Sequence, residues 1–235
     1  MMIYAVRELY EKELVHLGKF ISPGMVVVDA GANCGIYTVA AARLVGPTGR
    51  VLSFEPGMQS FSALQKNVQL NRLQNVTTFR AALADREGIA RLYHAGRGPT
   101  SFTLAPPVQD PAKWEEVATR ALRNVLQEEK AEQVGLIKLD VEGAEELVLQ
   151  GAEPVIARYH PTIIFEVNSG TARDLGLSPV GAWNLLDHFG YRFFSLTGLG
   201  ELRELDQPPP ENECMNLVAI YHERANEGPN HWPRL

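Results

Sequence analysis

Met25-Val-Val-Val-Asp-Ala-Gly-Ala-Asn-Cys-Gly-Ile-Tyr-Thr38 is the stretch that decides the fold of this chain. Four apolar residues, three of them β-branched, lead into Asp29, which predicts a strand buried on both faces, as in a parallel sheet. Gly31 and Gly35 bracket a turn, and the alanine-rich segment 36–44 predicts a helix. Such a strand–turn–helix unit presents free backbone N–H groups at a strand's carboxyl end, which suits a ligand with carboxylate or phosphate groups.

The spacing of the glycines indicates which ligand the turn binds. A dinucleotide fingerprint needs Gly-x-Gly-x-x-Gly, whereas Asp29 to Gly35 reads Asp-x-Gly-x-x-x-Gly with Asn33 inside it. This pattern resembles motif I of S-adenosylmethionine (SAM) dependent methyltransferases. The next predicted strand ends at Glu55, about 20 residues further on, where a carboxylate can accept hydrogen bonds from both ribose hydroxyls of a nucleoside. The alternative is an ordinary βαβ crossover with incidental glycines, and the agreement of strand, turn, helix and acid argues against it.

Length and composition indicate one globular domain spanning residues 1–235. Hydrophobic residues make up 45% and charged residues 21% of the 235-residue chain, which is typical of a globular rather than a disordered protein. The net charge of −6, with no dense Lys/Arg block, argues against nucleic acid and anionic membranes as partners. Two cysteines far apart in sequence, Cys34 and Cys214, predict neither a disulfide framework nor a zinc site.

The cellular location is predicted from the N-terminal segment and from the length of the apolar runs. Residues 1–20 are charged and amphipathic, so they predict an N-terminal helix and lack the apolar centre of a signal peptide. No apolar run reaches the length of about 18 residues that a membrane helix needs. We therefore expect a cytoplasmic protein, with a frayed polar tail at 224–235. The oligomeric state stays open, with a homodimer as one alternative.

Predicted strands and helices alternate along the chain, which predicts a mostly parallel sheet with right-handed crossovers. The further strands are predicted at 50–55, 76–81, 89–94, 116–120, 134–140, 161–167, 191–196 and 215–221. The further helices are predicted at 58–70, 121–130, from 143 past 149 with Gly151 and Pro154 as punctuation, and at 179–189. Residues 95–130 are predicted to form a substrate-side insertion, because the segment 95–113 is rich in Gly and Pro and aperiodic, as lids often are.

Three stretches of the chain together resemble the FkbM family of SAM-dependent methyltransferases. They are VVVDAGANCGIYTVAAARLVGPTGRVLSFEP, then NVQLNRLQNVTTFRAALADREG, then IKLDVEGAEELVLQGAEPVI followed by IIFEVN. The resemblance covers roughly residues 20–196, and the block IKLDVEGAE at 137–145 is its most specific part. It implies a class I (Rossmann-like) α/β fold, with a seven-stranded, mostly parallel sheet, a closing antiparallel strand and helices on both faces. It also implies O-methylation of a hydroxyl on a sugar or another small, natural-product-type molecule.

Position along the sheet predicts how the cofactor SAM is bound. The residues predicted to bind it are Asp29, Gly31, Asn33, Gly35, Glu55, Ala81 and Ala82. The glycines let the backbone approach the methionine part, and Asn33 donates to its carboxylate. Asp29 either holds the turn or binds the ammonium group, while Glu55 binds the ribose. The backbone at Ala81 and Ala82 is predicted to meet the adenine, with Met58 or Leu83 either covering its faces or serving only as core.

The candidates for the chemistry are Asp140, Glu142 and Glu166, with His94 as a secondary base. A hydroxyl acceptor must lose a proton, which a positioned carboxylate or histidine can accept. We expect Asp140 to do this and Glu142 to cap the helix that follows. Lys138 shares a strand face with Asp140, so an ion pair that supports the site is an alternative explanation for part of the motif. Mg²⁺ held by Asp140, Glu166 and Asn168 also stays open, although no metal site is predicted.

Three other functions are alternatives to O-methylation. A nucleotide-dependent oxidoreductase lacks support because the third glycine of the dinucleotide fingerprint is missing. A non-catalytic SAM- or nucleotide-binding protein is disfavoured by the intact motif from Asp29 to Gly35 and by Glu55. An N-methyltransferase often carries Asn/Asp-Pro-Pro-Tyr where this chain has Asp140-Val-Glu-Gly.

Overall fold

A computed structural model of the protein describes residues 12–94, 102–104 and 114–226. The strands are β1 Val26–Ala30, β2 Arg50–Phe54, β3 Val76–Phe79, β4 Ala81–Leu83, β5 Gly88–His94, β6 Phe102–Thr103, β7 Trp114–Arg120, β8 Val134–Leu139, β9 Thr162–Asn168, β10 Tyr191–Leu196, β11 Leu202–Leu205 and β12 Cys214–Tyr221. The helices are α1 Lys12–Val15, α2 Ile36–Val45, α3 Met58–Leu70, α4 Leu122–Glu128, α5 Glu145–Tyr159, α6 Ser169–Asp174, α7 Gly181–His188 and α8 His222–Asn226, with a 3₁₀ turn at Leu17–Lys19.

The central sheet has eight strands in the order β11-β10-β12-β9-β8-β1-β2-β3. From β9 to β3 every neighbouring pair is parallel, whereas β12 runs antiparallel to both β9 and β10. The predicted α/β class with a mostly parallel sheet and a closing antiparallel strand is confirmed. The strand count of seven is wrong because β11 adds an antiparallel hairpin to β10. This short edge strand has a polar centre, so no hydrophobic alternation marks it in the sequence.

A second, four-stranded sheet has the order β4-β7-β5-β6. The single strand predicted at 76–81 is wrong, because the chain changes sheets after Phe79. β3 pairs with β2 in the central sheet, whereas β4 pairs with β7 in the second one. The segments that form β3 and β4 both have residues that suit a strand, so the sequence shows no break between them. The break arises because each segment pairs with a different strand, and β7 is distant in sequence.

The prediction that Gly151 and Pro154 punctuate the helix after β8 is also wrong, because α5 continues from Glu145 through both to Tyr159. Gly151 serves close packing, since a Cβ there would lie 2.0 Å from the carbonyl oxygen of Ala84. The helix instead ends at His160, which adopts a left-handed φ of 45°. Tertiary packing therefore outweighs the local helix propensity of this segment.

Helices cover both faces of the central sheet, as predicted. All five residues of β1 are buried, with Val28 packing in one core and Val27 in the other. The first core includes side chains of α4, α5 and α7, and the second includes α2 and the 3₁₀ turn. Within the described ranges no helix has the length and apolarity to cross a membrane.

Several predicted segments lie partly outside the described residues. These are residues 1–11 of the N-terminal helix, residues 95–101 and 105–113 of the proposed lid, and residues 227–235 of the tail. Of the N-terminal segment, α1 and the 3₁₀ turn are described, and α8 covers the start of the tail.

The turn after β1 touches the turn after β8 through their backbones. Gly31 has a φ of 73°, and a Cβ there would lie 1.7 Å from the carbonyl oxygen of Asp140. A side chain at this position would therefore force the two strand ends apart.

We expect Gly31→Ala to lower the free energy of unfolding by roughly 3 kcal/mol, the sum of overpacking and left-handed strain. Gly176→Ala is the matched control, because Gly176 has a φ of 72° and open space around it. That control should lose only about 1–2 kcal/mol. Urea unfolding of both variants measures the difference, and equal losses would show that the contact with Asp140 is unimportant.

Candidate functional site

A cleft of about 650 Å³ opens at the carboxyl ends of β1, β2 and β8. Parallel strands of such sheets bind their ligands at this edge. The lining residues are Gly31, Asn33, Phe54, Glu55, Pro56, Ala81, Ala82, Leu83, Leu92, Leu104, Asp140, Val141, Glu142 and Ala144. The second sheet thus contributes one wall of the cleft, through β4 and through Leu92 and Leu104.

Glu55 is held rigidly at the end of β2. Its Oε2 atom accepts a hydrogen bond from the Asn33 backbone N–H at 2.8 Å, and its Oε1 atom accepts one from Gly57 N–H at 2.8 Å. Burial raises the Glu55 pKa to about 6, although the two amides oppose this shift. Each carboxylate oxygen has a further lone pair, so the group can still accept hydrogen bonds from a ligand in the cleft.

Asp29 lies behind the cleft and does not line it. It is 1% exposed, and its Oδ2 atom accepts a hydrogen bond from Thr38 Oγ1 at 2.6 Å. The same hydroxyl lies 2.8 Å from Ser53 Oγ, which ties α2 to β1 and β2. Burial raises the Asp29 pKa, against the opposing effects of Lys138 and Thr38. Of the two roles predicted for Asp29, holding the turn fits this position.

Lys138 connects the carboxyl ends of β1 and β8. Asp29 and Lys138 are cross-strand neighbours, and their Oδ1 and Nζ atoms lie 3.8 Å apart. Lys138 Nζ also lies 3.1 Å from Asp140 Oδ2 and 3.4 Å from the Gly31 carbonyl oxygen, and it stands over the Tyr37 ring. The supporting ion pair considered from the sequence is therefore present, with two acids rather than one.

Removing Lys138 should leave the buried Asp29 charge without its compensating cation. We expect Lys138→Met to lower the free energy of unfolding by about 3 kcal/mol or more. Asp29→Asn in the Lys138→Met background should recover part of this loss, because it removes the charge and keeps an acceptor for Thr38. Because an acid with a raised pKa destabilises the fold above its unfolded pKa, the Lys138→Met loss should grow as pH rises.

Chemical denaturation between pH 5 and 8 measures these effects. The exposed Lys66→Met serves as the control and should resemble the wild type. If Lys138→Met is as stable as wild type at pH 8, the ion pair does not support the site.

Asp140 and Glu142 both line the cleft, within the turn that leads from β8 into α5. We expected Glu142 to cap this helix, but Glu145 accepts the backbone hydrogen bonds of the turn instead. Its Oε1 atom lies 3.1 Å from Val141 N and 3.4 Å from Gly143 N. Burial raises the Glu145 pKa to about 7, and the nearby Glu166 adds to the increase. The sequence reasoning missed Glu145, although an acid in the first turn of a helix is a recognisable signal.

Glu166 lines a different pocket from Asp140 and Glu142, although its carboxylate still interacts electrostatically with Asp140. It borders a separate small pocket between α5, β9 and α7, together with Glu145 and Trp183. Cys214 Sγ donates a hydrogen bond to Glu166 Oε1 at 3.1 Å. Although the residue is exposed overall, partial desolvation of its thiol together with this carboxylate raises the Cys214 pKa to about 12. Burial also raises the Glu166 pKa.

The oxygen donors considered for Mg²⁺ have other contacts. Asn168 caps α6, because its Oδ1 atom accepts a hydrogen bond from Thr171 N at 3.4 Å, and Asp140 pairs with Lys138. Among the described residues, no group of three His, Cys, Asp or Glu side chains is arranged to hold a metal ion.

Of the seven residues predicted to bind the cofactor, five line the cleft, namely Gly31, Asn33, Glu55, Ala81 and Ala82. Gly35 begins α2 and packs against Leu64, where a Cβ would lie 2.5 Å from Leu64 Cδ1. Leu83 lines the cleft, whereas Met58 is 50% exposed outside it. The side chain of His94 lies outside the described part of the chain.

A mostly parallel sheet with a glycine turn after β1 and an acid after β2 defines the fold class of class I methyltransferases. The methyltransferase FkbM domain model matches residues 29–193, which is more than half of the chain. The chain therefore belongs to the FkbM family of SAM-dependent methyltransferases, and the resemblance noted in the sequence is confirmed.

Two relatives and one solved structure illustrate the likeness. Methyltransferase sdnD from Sordaria araneosa is 29% identical over 54% of this chain and 60% of its own length. The 31-O-demethyl-FK506 methyltransferase FkbM from Streptomyces tacrolimicus is 30% identical over 64% of this chain and 68% of its own. The crystal structure of a methyltransferase FkbM from Methylobacillus flagellatus KT superposes with a TM-score of 0.53 at 14% identity, over 83% of this chain and 43% of that one. At 14% identity, the likeness to the Methylobacillus structure concerns the fold alone. The chain spans 60% of the length of methyltransferase sdnD.

Proposed function

We propose that this protein transfers the methyl group of SAM to a hydroxyl group of a small molecule, such as a sugar or another natural product. The observation that carries the proposal is that Glu55 and the two acids Asp140 and Glu142 line the same cleft. The name of the Streptomyces relative, which refers to an O-demethyl substrate, supports the choice of oxygen as the acceptor atom.

The residues of the cleft fit the nucleoside and amino-acid parts of SAM. Glu55 has both oxygens oriented by backbone amides, so its remaining lone pairs suit a pair of ribose hydroxyls. The absence of a side chain at Gly31 brings backbone groups to the cleft surface beside Asn33. Ala81, Ala82 and Leu83 supply a small, apolar wall that suits an adenine ring.

SAM supplies an already activated methyl group, so the protein's task is orientation and proton removal. In the proposed mechanism Asp140 orients the acceptor hydroxyl and accepts its proton. Lys138 Nζ, 3.1 Å from Asp140 Oδ2, keeps that carboxylate near the carboxyl end of β1. Glu142, which lines the same cleft, is the second candidate to contact the acceptor.

The activity is tested with SAM carrying a labelled methyl group and a panel of hydroxylated acceptors, including monosaccharides and macrolides. Mass spectrometry should detect a labelled product together with S-adenosylhomocysteine (SAH). If labelled methyl groups appear only on amines, the acceptor class is wrong; if SAM and SAH do not bind, the whole proposal fails.

Glu55→Ala should weaken SAH binding by about 10- to 100-fold, because charge-assisted hydrogen bonds contribute roughly 1.5–3 kcal/mol. Hydroxyl donors bind the ionised carboxylate best, and the Glu55 pKa is about 6. SAH affinity of the wild type should therefore fall as pH decreases from 7 to 5, while Glu55→Gln shows a weaker dependence. Isothermal titration calorimetry measures both effects, with the exposed Glu132→Gln as control. Unchanged affinity of Glu55→Ala would remove Glu55 from the cofactor site.

Asp140→Asn preserves the shape of the side chain and removes its charge. With an acceptor found in the panel, kcat should fall by about 10²–10⁴-fold, the range typical of general-base catalysis. SAH affinity should stay within about threefold of wild type, and Glu142→Gln provides the comparison within the same turn. A collapse of SAH affinity would assign Asp140 to the cofactor, and unchanged turnover would move the base to another residue.

A further inference from the structure

The turn formed by residues 140–143, here called the acid turn, has a backbone conformation that its sequence does not favour. Glu142 has a φ of 54° and Gly143 a φ of 97°, both in the left-handed region. Glycine adopts that region freely, but a glutamate does so at an energetic cost. Such conformations persist when surrounding contacts over-determine them, and they concentrate at functional sites.

The acid turn is confined on two sides by other backbone segments. At its beginning, the carbonyl oxygen of Asp140 lies against Gly31, where a Cβ would be 1.7 Å away. At its end, Gly143 lies against α6, where a Cβ would be 2.5 Å from the Thr171 carbonyl carbon. Both ends of the acid turn are therefore held by backbone contacts, so a change confined to its middle leaves the wall of the cleft beside Gly31 in place.

The side chain of Glu145 accepts hydrogen bonds from the backbone of the acid turn. A single oxygen, Oε1, accepts hydrogen bonds from the backbone N–H groups of both Val141 and Gly143. These two amides flank Glu142, so the bond pair fixes the backbone on both sides of the left-handed residue. Glu145 is 4% exposed and lies in the first turn of α5, where the helix dipole favours a negative charge.

The surroundings of Glu145 disfavour an ionised carboxylate at this position, and the two amide hydrogen bonds offset that cost. Glu166 on β9 faces it as a like charge, and burial itself disfavours the ionised form. The hydrogen-bond partners that the structure describes for its carboxylate are backbone amides rather than a lysine or arginine. A buried acid at this position therefore contributes little to the stability of α5 itself. Its hydrogen bonds instead fix the backbone of the acid turn.

We propose that Glu145 is a positioning residue for methyl transfer. Its carboxylate holds the acid turn in the conformation that directs Asp140 and Glu142 along the cleft, while Glu145 itself does not contact the substrate. This inference rests on the proposed function of the cleft, because the two acids matter only if an acceptor binds there.

Three substitutions separate positioning from general stabilisation. Glu145→Gln retains an oxygen that can accept both amide bonds, whereas Glu145→Ala removes it. Glu145→Asp retains the charge but is one methylene too short, and it decides the outcome if the alanine variant does not fold. The exposed Glu153→Gln on the same helix is the matched control.

Amide hydrogen exchange measured by NMR tests the contact without any acceptor. Exchange at Val141 and Gly143 should accelerate by about 30-fold or more in Glu145→Ala and Glu145→Asp, and stay within about threefold of wild type in Glu145→Gln and Glu153→Gln. The acceleration should be confined to the acid turn. Unchanged exchange in Glu145→Ala and Glu145→Asp would overturn the proposal, as would equal acceleration along all of α5.

Calorimetry and kinetics test the functional consequence. SAH affinity and the KM for SAM should stay within about threefold in all variants. With the panel acceptor, kcat should fall by about 10- to 100-fold in Glu145→Ala and Glu145→Asp, with substantial recovery in Glu145→Gln. A parallel loss of SAH affinity would make Glu145 a structural residue of the cofactor site. If wild-type protein methylates no acceptor, the proposed function fails, whereas the exchange data still judge whether Glu145 fixes the turn.

Discussion

The site depends on the contact between two backbone turns, at Gly31 and at Asp140, which leaves no space for a side chain between them. Because β1 and β8 are parallel neighbours, their carboxyl ends meet at this contact. Lys138 lies beneath it and interacts with an acid from each strand. The group proposed to bind the nucleoside and the acids proposed to serve the acceptor thereby share one cleft, at a separation that the sheet geometry fixes.

Buried acids surround this contact, and the protein compensates them in two ways. Asp29 is balanced by Lys138 and by the Thr38 hydroxyl. Glu55 and Glu145 are held by backbone amides, and burial raises the pKa of both carboxyl groups. Several acids with raised pKa values at one sheet edge are costly for stability, and such arrangements are more frequent at functional sites than in purely structural cores. The acid turn, with its left-handed glutamate, fits the same interpretation.

Much of the central sheet could be predicted because its signals are local. Hydrophobic runs marked β1, β8 and β9, and a glycine turn followed β1 as expected. The errors occur where the outcome depended on distant partners. The chain leaves the central sheet after Phe79 because β7, far along the sequence, provides another pairing edge. α5 continues through Pro154 because its packing outweighs the local preference for a break.

The sequence by itself determined the fold class, the family, the position of the glycine turn and the acid at the end of β2. The family follows from the resemblance of three stretches to its members, whereas the other features follow from periodicity and spacing over a few dozen residues, which bring the groups to one edge of a parallel sheet. Only the tertiary structure placed Glu166 in a different pocket and assigned the amides of the acid turn to Glu145. It also showed that Lys138 bridges two acids. The direction of a side chain at a strand end depends on contacts with neighbouring strands and helices. The spacing of residues within one segment therefore does not predict it.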